Sequence, residues 1–126
     1  QEYYQHFNDG NKAGMLALVD DNICHEPNQG EPRIGKTLFA DFLEKMDRCY
    51  TEKLTDMVFL SDESGNRFAV EFTVNGIYKM AEEGLPPAHG QSYVLPAGAF
   101  LEVHNNRITR VTTYYNLELW MTLVSQ

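Results

Sequence analysis

The sequence predicts an α+β fold in which helices precede a strongly bent, mainly antiparallel sheet. Two observations carry this prediction: apolar residues recur every three or four positions from residue 36 to residue 50, and the period then changes to two. Helices followed by a run of long strands are typical of the α+β class. At 126 residues the chain predicts a single domain, residues 1–126, with one core and room for a ligand-sized cavity between sheet and helices.

Local signals define the elements in order. The predicted elements are a helix over 1–9, a helix over 12–19, a turn over 20–22, a strand over 23–26, a helix over 36–50, a strand over 54–60, a hairpin loop over 61–66, a strand over 67–79, a loop over 81–90, a strand over 91–103, a turn over 104–106, a strand over 107–116 and a helix over 117–124. Asp9-Gly10 ends the first helix, and the third helix has the most regular apolar spacing. Gly76 inside a strand indicates a bulge or bend.

The segment from His25 to Gly35 contains two prolines and two glycines, so it is neither helix interior nor central strand. Pro27 restricts Glu26 to extended backbone and fixes its direction where the short strand ends. Apolar surroundings raise the pKa of a carboxylate toward neutrality, which suits a general base. Glu26 is therefore a candidate base, and a solvated turn carboxylate is the alternative.

Composition argues against several classes of partner. The net charge of −8 disfavours nucleic acid and an anionic membrane surface. No apolar run reaches membrane-spanning length, and there is no secretory leader pattern. Cys24 and Cys49 lack metal-site spacing, so we expect free thiols in a cytoplasmic protein, with one disulfide as the alternative. Because residue 1 is glutamine, we expect residues to precede it.

Three motifs and the order of elements carry a resemblance to a known family. The motifs are Glu26-Pro27 followed by Gly30-Glu31-Pro32-Arg33-Ile34-Gly35, Phe68-Ala69-Val70-Glu71-Phe72 ending in Val74-Asn75-Gly76, and Arg107-Ile108 running to Tyr114-Tyr115-Asn116. The chain thereby resembles the SnoaL-like and ketosteroid isomerase-related branch of the nuclear transport factor 2-like superfamily. This resemblance covers nearly the whole chain. It implies a cone-shaped, mixed sheet of the cystatin-like type, packed on the N-terminal helices and one long helix.

The resemblance also implies roles for individual residues. In the isomerases an acidic residue before proline shuttles the proton, and Glu26 occupies that position. A tyrosine seven residues before the glycine that closes the first helix corresponds to Tyr3, which would donate a hydrogen bond to an enolate oxygen. The isomerases carry a protonated aspartate as second donor, and its place falls on Gly98 or Ala99. Neither residue can donate through a side chain, and losing one donor can lower a rate about a hundredfold.

A further set of residues is predicted to line the cone. These ligand-contacting residues are Phe7, Phe42, Phe68, Val70, Phe72, Ala99, Val111, Thr113, Tyr115 and Asn116. For the apolar members, ordinary core packing is the alternative interpretation. Because strand residues alternate, His25 should point outward when Glu26 points inward, and no metal site is predicted. Glu71 lies on the opposite face of its strand, which commonly forms a dimer surface in this family.

The function implied by the resemblance is proton transfer without metal or organic cofactor. The protein would bind an apolar, carbonyl-bearing small molecule, and the reaction would be isomerisation, cyclase-type aldol chemistry or hydration. The expected partners are this hydrophobic ligand and a second copy of the chain. A non-catalytic ligand-binding or dimerisation module with the same fold is the alternative, and a nuclear-transport-type adaptor is a third possibility.

Overall fold

A computed structural model describes residues 1–28 and 30–125; Gln29, inside the predicted turn, and Gln126 lie outside the described residues. The elements are α1 (Glu2–Asp9), α2 (Lys12–Ala17), β1 (Val19–Glu26), β2 (Arg33–Ile34), α3 (Lys36–Cys49), β3 (Tyr50–Ser61), β4 (Arg67–Tyr78), β5 (Gln91–His104), β6 (Arg107–Tyr115) and α4 (Leu117–Val124). The predicted α+β class is confirmed. No helix in the described ranges is long and apolar enough to cross a membrane.

The sheet has six strands in the order β2-β1-β6-β5-β4-β3. Strand β1 runs parallel to β6, and every other pairing is antiparallel, so the sheet is mixed. The helices cover the face that carries the side chains of Val70, Phe72 and Val74, which we call the inner face; the opposite one is the outer face. Tyr4 of α1 packs on Phe72 with ring centroids 5.6 Å apart, so apolar burial against this face holds the helices in place.

The helix ends agree with their sequence signals. Gly10 follows α1 in the left-handed conformation, with φ of 70°, and its backbone N–H bonds back to α1. The side chain of Asn11 accepts a hydrogen bond from the Gly14 N–H at 2.9 Å and caps α2. The turn between β5 and β6 places Asn105 and Asn106 at φ of 51° and 63°, which suits a two-residue hairpin.

Two strand starts were predicted wrongly, and one short strand was missed. Residues 20–22, predicted as a turn, belong to β1: the strand pairs with β6 at Val19 and again from Cys24 onward, and residues 20–22 lie in the irregularity between these pairs. Strand β2 was not predicted at all: its two residues pair with Cys24 and His25 across the turn. Strand β3 begins at Tyr50, directly after α3, and is therefore four residues longer at its start than predicted.

The bulge predicted at Gly76 lies elsewhere. Pairing runs without interruption through Gly76, which stands opposite Glu52 on β3 and Tyr93 on β5. The irregularity is in β3, between Thr55 and Val58. Gly76 instead lies against the ring of Tyr93 on β5.

Candidate functional site

The orientation of His25 and Glu26 is the reverse of the predicted one. The His25 side chain is on the inner face, only 2% exposed, with its ring 4.3 Å from that of Phe42 and 5.2 Å from that of Phe39 on α3. Burial lowers its pKa to about 4, with a smaller contribution from Arg33. Since strand residues alternate, Glu26 points to the outer face.

On the outer face, Glu26 lies in a polar environment. Its carboxylate accepts a hydrogen bond of 2.6 Å from the Thr112 hydroxyl, and the Arg110 guanidinium lies 3.4 Å away. Arg110 also contacts Glu102, with Nε 2.9 Å from the carboxylate. Glu26 is therefore a partly exposed, ion-paired carboxylate outside the space between sheet and helices. Its role as the base stays a prediction, to be tested against the inner-face carboxylate below.

The other predicted site residues divide between core and strand ends. Val70, Phe72, Ala99 and Val111 are buried on the inner face, and Phe7, Phe42 and Phe68 pack at the edge of the same core. Thr113 and Tyr115 follow Val111 on the inner face of β6, opposite Ala99 and Ala97. Tyr3 is 7% exposed and packs edge-on against Tyr4. The Asn116 side chain accepts a hydrogen bond from the Leu119 N–H at 3.0 Å, so it caps α4.

The inner face carries a carboxylate that the sequence prediction missed. Glu52 is half-buried between Tyr50 and Leu54 on β3 and accepts a hydrogen bond from the hydroxyl of Tyr93 on β5. Strand β4 lies between these two strands, so the Tyr93 ring must cross its backbone. It crosses at Gly76, where an added Cβ would be 2.5 Å from both the Tyr93 hydroxyl and Cε2. Gly76 therefore provides clearance for this Glu52–Tyr93 pair.

A second carboxylate–tyrosine pair lies beside the first. Tyr50 donates a hydrogen bond of 2.6 Å to Glu82, which also forms a 2.5 Å ion pair with Lys45 of α3. Tyr78 anchors the same loop by donating to the Pro86 carbonyl oxygen at 2.7 Å. The Trp120 ring of α4 packs edge-on against Tyr50, Tyr78 and Tyr93, at centroid distances of 6.0, 4.9 and 6.0 Å. Helix α4 thus closes this end of the inner face with an aromatic wall.

The two carboxylates differ in their electrostatic surroundings. Lys45 balances the charge of Glu82, whereas no cation in residues 1–28 and 30–125 forms an ion pair with Glu52. Burial raises the pKa of Glu52 above its ordinary value, and the Tyr93 hydrogen bond opposes this only in part. Burial is the largest cause that raises the pKa of Tyr93, and the nearby charge of Glu52 raises it further. Glu52 is therefore a strengthened base held by a tyrosine that stays protonated.

Two sequence signals could have found this pair. Glu52 shares the inner face of β3 with Tyr50 and Leu54, so a carboxylate interrupts an otherwise apolar series. The glycine at position 76 marks a close approach in the interior of β4, where the sequence alone indicates a bulge or bend. Neither signal identifies Tyr93 as the partner of Glu52, because the two residues are 41 positions apart in sequence and meet only across the folded sheet.

The Glu52→Gln variant should be more stable than wild type at pH 8. A carboxyl group whose pKa is raised by folding binds more protons in the folded state, so its contribution to stability falls as pH rises through the folded-state pKa. Glutamine does not titrate, so the variant does not lose stability in this way. Its stability advantage over wild type should vanish below about pH 4, where the carboxyl group of the unfolded wild-type chain is also protonated. Urea unfolding at pH 4 and pH 8 measures it, with Glu44→Gln on the exposed side of α3 as control. A destabilised Glu52→Gln at pH 8 contradicts the prediction.

Two surface depressions lie away from the carboxylate–tyrosine pairs. One of about 370 Å³ lies at the start of the β3–β4 hairpin, lined by Leu60, Asp62, Arg67 and Phe100 among others. The other, of about 650 Å³, lies between α2 and the start of α3, beside Leu16 and Leu38. Neither combines a carboxylate with a buried apolar wall, so the inner face remains the better candidate for chemistry.

The mixed six-stranded sheet with helices on one face has the nuclear transport factor 2-like fold. A nuclear transport factor 2-like protein from Burkholderia pseudomallei K96243 shares it at 16% identity and a TM-score of 0.82, covering 99% of this chain and 93% of that one. The chain belongs to the SnoaL-like domain family, whose model matches residues 1–111. The predicted family membership is confirmed.

More similar crystal structures come from three bacteria, and each bears the name "putative polyketide cyclase". The Pseudomonas putida KT2440 protein is 51% identical with a TM-score of 0.96, covering 98% of this chain and 92% of that one. The Xanthomonas campestris pv. campestris protein is 46% identical with a TM-score of 0.95 and the same coverage. The Silicibacter sp. TM1040 protein is 48% identical with a TM-score of 0.97, covering 99% and 91%. No curated protein matches this chain.

Proposed function

We propose that this protein binds an apolar, carbonyl-bearing small molecule on the inner face and moves a proton alpha to its carbonyl, with Glu52 as the base. One observation carries the proposal: Glu52 is a half-buried carboxylate on a mainly apolar face, it has no ion-pair partner among the described residues, and its only hydrogen-bond partner among them is Tyr93. The three structures that are about half identical to this chain are named putative polyketide cyclases, which supports chemistry of the isomerase or cyclase type. The predicted base Glu26 is the competing candidate.

The proposed step uses the free oxygen of the carboxylate. Tyr93 holds Oε2 of Glu52, so Oε1 accepts the alpha proton of the ligand. The C–H electron pair then forms the enolate carbon–carbon bond, and the negative charge moves to the carbonyl oxygen. The neutral Glu52 returns its proton to carbon in an isomerisation, or to the new alkoxide when the enolate carbon has attacked a second carbonyl, as in a cyclase. A raised pKa makes Glu52 a stronger base for the abstraction, and a pKa nearer the working pH still allows the protonated carboxyl group to return the proton.

Hydrogen exchange on a simple ketone tests the base directly, without knowledge of the natural substrate. The wild-type protein should accelerate exchange of the alpha protons of 2-tetralone in D₂O, followed by proton NMR. Glu52→Gln should lower the exchange rate by at least about a hundredfold, the range of a general base. Circular dichroism of each variant checks that it is folded, and Glu44→Gln is the matched control on an exposed surface.

The same assay decides between the two carboxylates. If Glu52 is the base, Glu26→Gln should retain exchange within a few-fold of wild type, because its carboxylate lies on the outer face with Arg110 and Thr112. A large loss in Glu26→Gln together with full activity in Glu52→Gln would instead support the base that the sequence resemblance suggested.

A non-catalytic binding module is the second candidate function. The side chains of Val70, Phe72, Ala99 and Val111 already fill much of the inner face, and Gly98 and Ala99 supply no donor from β5. Under this alternative the protein binds the ketone, for example in a fluorescence competition with 2-naphthol, but does not accelerate exchange.

We also propose that two copies of the chain pair through the outer face. This face carries large apolar side chains that are at least 42% exposed, namely Val58, Leu60, Ile77, Val94, Phe100 and Tyr114. Apolar patches of this kind on a small domain are typical of interaction sites. The network of Arg67, Glu102, Arg110 and Glu26, which crosses strands β4, β5, β6 and β1, supplies polar partners beside them.

Phe100→Lys should convert the dimer into a monomer at micromolar concentration. An aromatic residue at the centre of an interface contributes about 2 kcal/mol or more, and a buried lysine adds repulsion from its own copy. Sedimentation velocity or light scattering after gel filtration measures the mass. Met121→Lys, an exposed apolar residue on α4, is the control and should leave the mass unchanged. A wild-type monomer at high concentration contradicts the dimer proposal.

A further inference from the structure

Two segments of the chain cover a cluster of three tyrosines, Tyr50, Tyr78 and Tyr93, at one end of the inner face. The first segment is the loop over residues 79–90, which joins β4 to β5 and is hydrogen-bonded to the Tyr78 hydroxyl. The second is α4, whose Trp120 ring packs against all three tyrosines. The tyrosines are 8%, 0% and 3% exposed, so very little of each ring reaches solvent.

The side chain of Gln91, at the start of β5, joins the two segments. Its Oε1 accepts a hydrogen bond from the His89 N–H at 2.7 Å, and its Nε2 donates to the carbonyl oxygens of Pro87 and Val124, both at 2.9 Å. A primary amide has two N–H donors, so one donor can serve each segment. Val124 lies in the last turn of α4, where carbonyl oxygens lack a partner within the helix, and Gln91 supplies one.

The two segments also have separate attachments. Near the start of the loop, Glu82 forms the 2.5 Å ion pair with Lys45 of α3. Helix α4 buries the side chains of Trp120 and Val124, which are 4% and 1% exposed. Apolar packing of this kind is not directional, whereas hydrogen bonds weaken steeply when their geometry changes. The Gln91 amide is therefore the contact that fixes the loop and the helix relative to each other.

We propose that the loop over residues 79–90 and α4 form one cover over the Glu52–Tyr93 pair, and that the Gln91 amide makes the two segments open and close together. Opening the cover exposes Tyr93 and gives a small molecule access to Glu52. Closing it excludes water, which strengthens electrostatic interactions around the carboxylate. Glu52 need not be the base for this coupling, because the motion of the cover is independent of the chemistry beneath it.

Trp120 is the only tryptophan in the sequence, so quenching of its fluorescence by acrylamide measures how well α4 is seated. Gln91→Leu removes all three hydrogen bonds, whereas Gln91→Glu at pH 7 keeps the acceptor for the His89 N–H and loses both donors. Both variants should increase the quenching constant several-fold. Mass spectrometry should show loop amides exchanging with D₂O about tenfold faster, the scale of one or two hydrogen bonds. Gln5→Glu, exposed on α1, is the control and should change neither quantity.

A change at the other end of the loop tests the coupling itself. Glu82→Gln removes the ion pair with Lys45 and should loosen the loop. When Gln91 is present, this change should increase both the exchange of loop amides and the quenching of Trp120. In a Gln91→Leu background it should increase only the exchange of the loop, because the link to α4 is already lost. Glu83→Gln, the exposed neighbour of Glu82, should change neither quantity.

Two results would overturn the proposal. The first is wild-type quenching of Trp120 in folded Gln91 variants, with circular dichroism as the check on folding. The second is an equal increase in quenching by Glu82→Gln with and without the Gln91 amide, since packing alone would then couple the two segments. If Gln91→Leu does not fold, Gln91→Glu provides the same comparisons. Ketone exchange by Glu52→Gln tests the base alone, so each proposal can fail without the other.

Discussion

Gly76→Ala is expected to destabilise the protein by roughly 2–5 kcal/mol and to abolish alpha-proton exchange. Alanine normally suits a strand better than glycine, and Gly76 is not among the glycines with positive φ, so the backbone itself would accept a side chain. The reason for the loss is the Tyr93 ring, whose Cε2 and hydroxyl would lie 2.5 Å from the new Cβ. The ring must move, and Glu52 then loses its only hydrogen-bond donor in the described part of the chain.

A double-mutant cycle isolates this steric cause. In a Tyr93→Ala background the ring is absent, so Gly76→Ala should have little further effect on the free energy of unfolding in urea. Gly98→Ala on the neighbouring strand is a matched control, since its nearest neighbour would be the Val70 carbonyl oxygen at 3.2 Å rather than a ring. If Gly76→Ala is equally destabilising with and without the Tyr93 ring, the clearance explanation is wrong.

His25→Phe should make the protein much more resistant to acid. The buried imidazole has its pKa lowered from 6.5 to about 4, so between these pH values the unfolded chain binds a proton that the folded protein does not. Stability is therefore lost as pH falls from about 6.5 to 4, by about 3 kcal/mol at 1.36 kcal/mol per pKa unit. Phenylalanine does not titrate, packs with Phe39 and Phe42, and removes an unpartnered Nδ1.

Urea unfolding of wild type and variant at pH 7 and pH 4.5 measures this difference. Carboxylates also titrate in this range, so the informative quantity is the change in free energy between the two proteins, not the acid sensitivity of either alone. His104→Gln, at the exposed last residue of β5, controls for loss of a histidine and should follow wild type at both pH values. Parallel pH profiles for wild type and His25→Phe would contradict a buried neutral His25.

Most of the fold could be predicted from local patterns. The apolar spacing of α3, the glycine after α1 and the two asparagines between β5 and β6 each act within a few residues of themselves. Boundaries that depend on a partner strand were missed. Strand β1 starts at Val19 because this residue pairs with Ile108 of β6, and β2 exists because the turn folds back onto β1. Pairing energy from distant residues overrides local propensity at such places.

The candidate site was predicted less well, for a related reason. The sequence located a carboxylate before a proline, but alternation along a strand says only that His25 and Glu26 face opposite ways. Which of them faces α3 depends on the register between β1 and β6 and on the partners that each side chain finds. A neutral imidazole can pack between aromatic rings, whereas a carboxylate is more stable beside Arg110 and Thr112.

The sequence by itself determined the α+β class, the family and the order of the longer elements, because periodicity, turns and motifs are properties of neighbouring residues. Only the tertiary structure decided which carboxylate faces the helices and which tyrosine donates a hydrogen bond to it. Glu52, Gly76 and Tyr93 lie on three successive strands of the sheet and meet only when β3, β4 and β5 pair in register. Contacts between residues far apart in sequence carry no periodic signal, so the chemistry of this site became visible only in the folded chain.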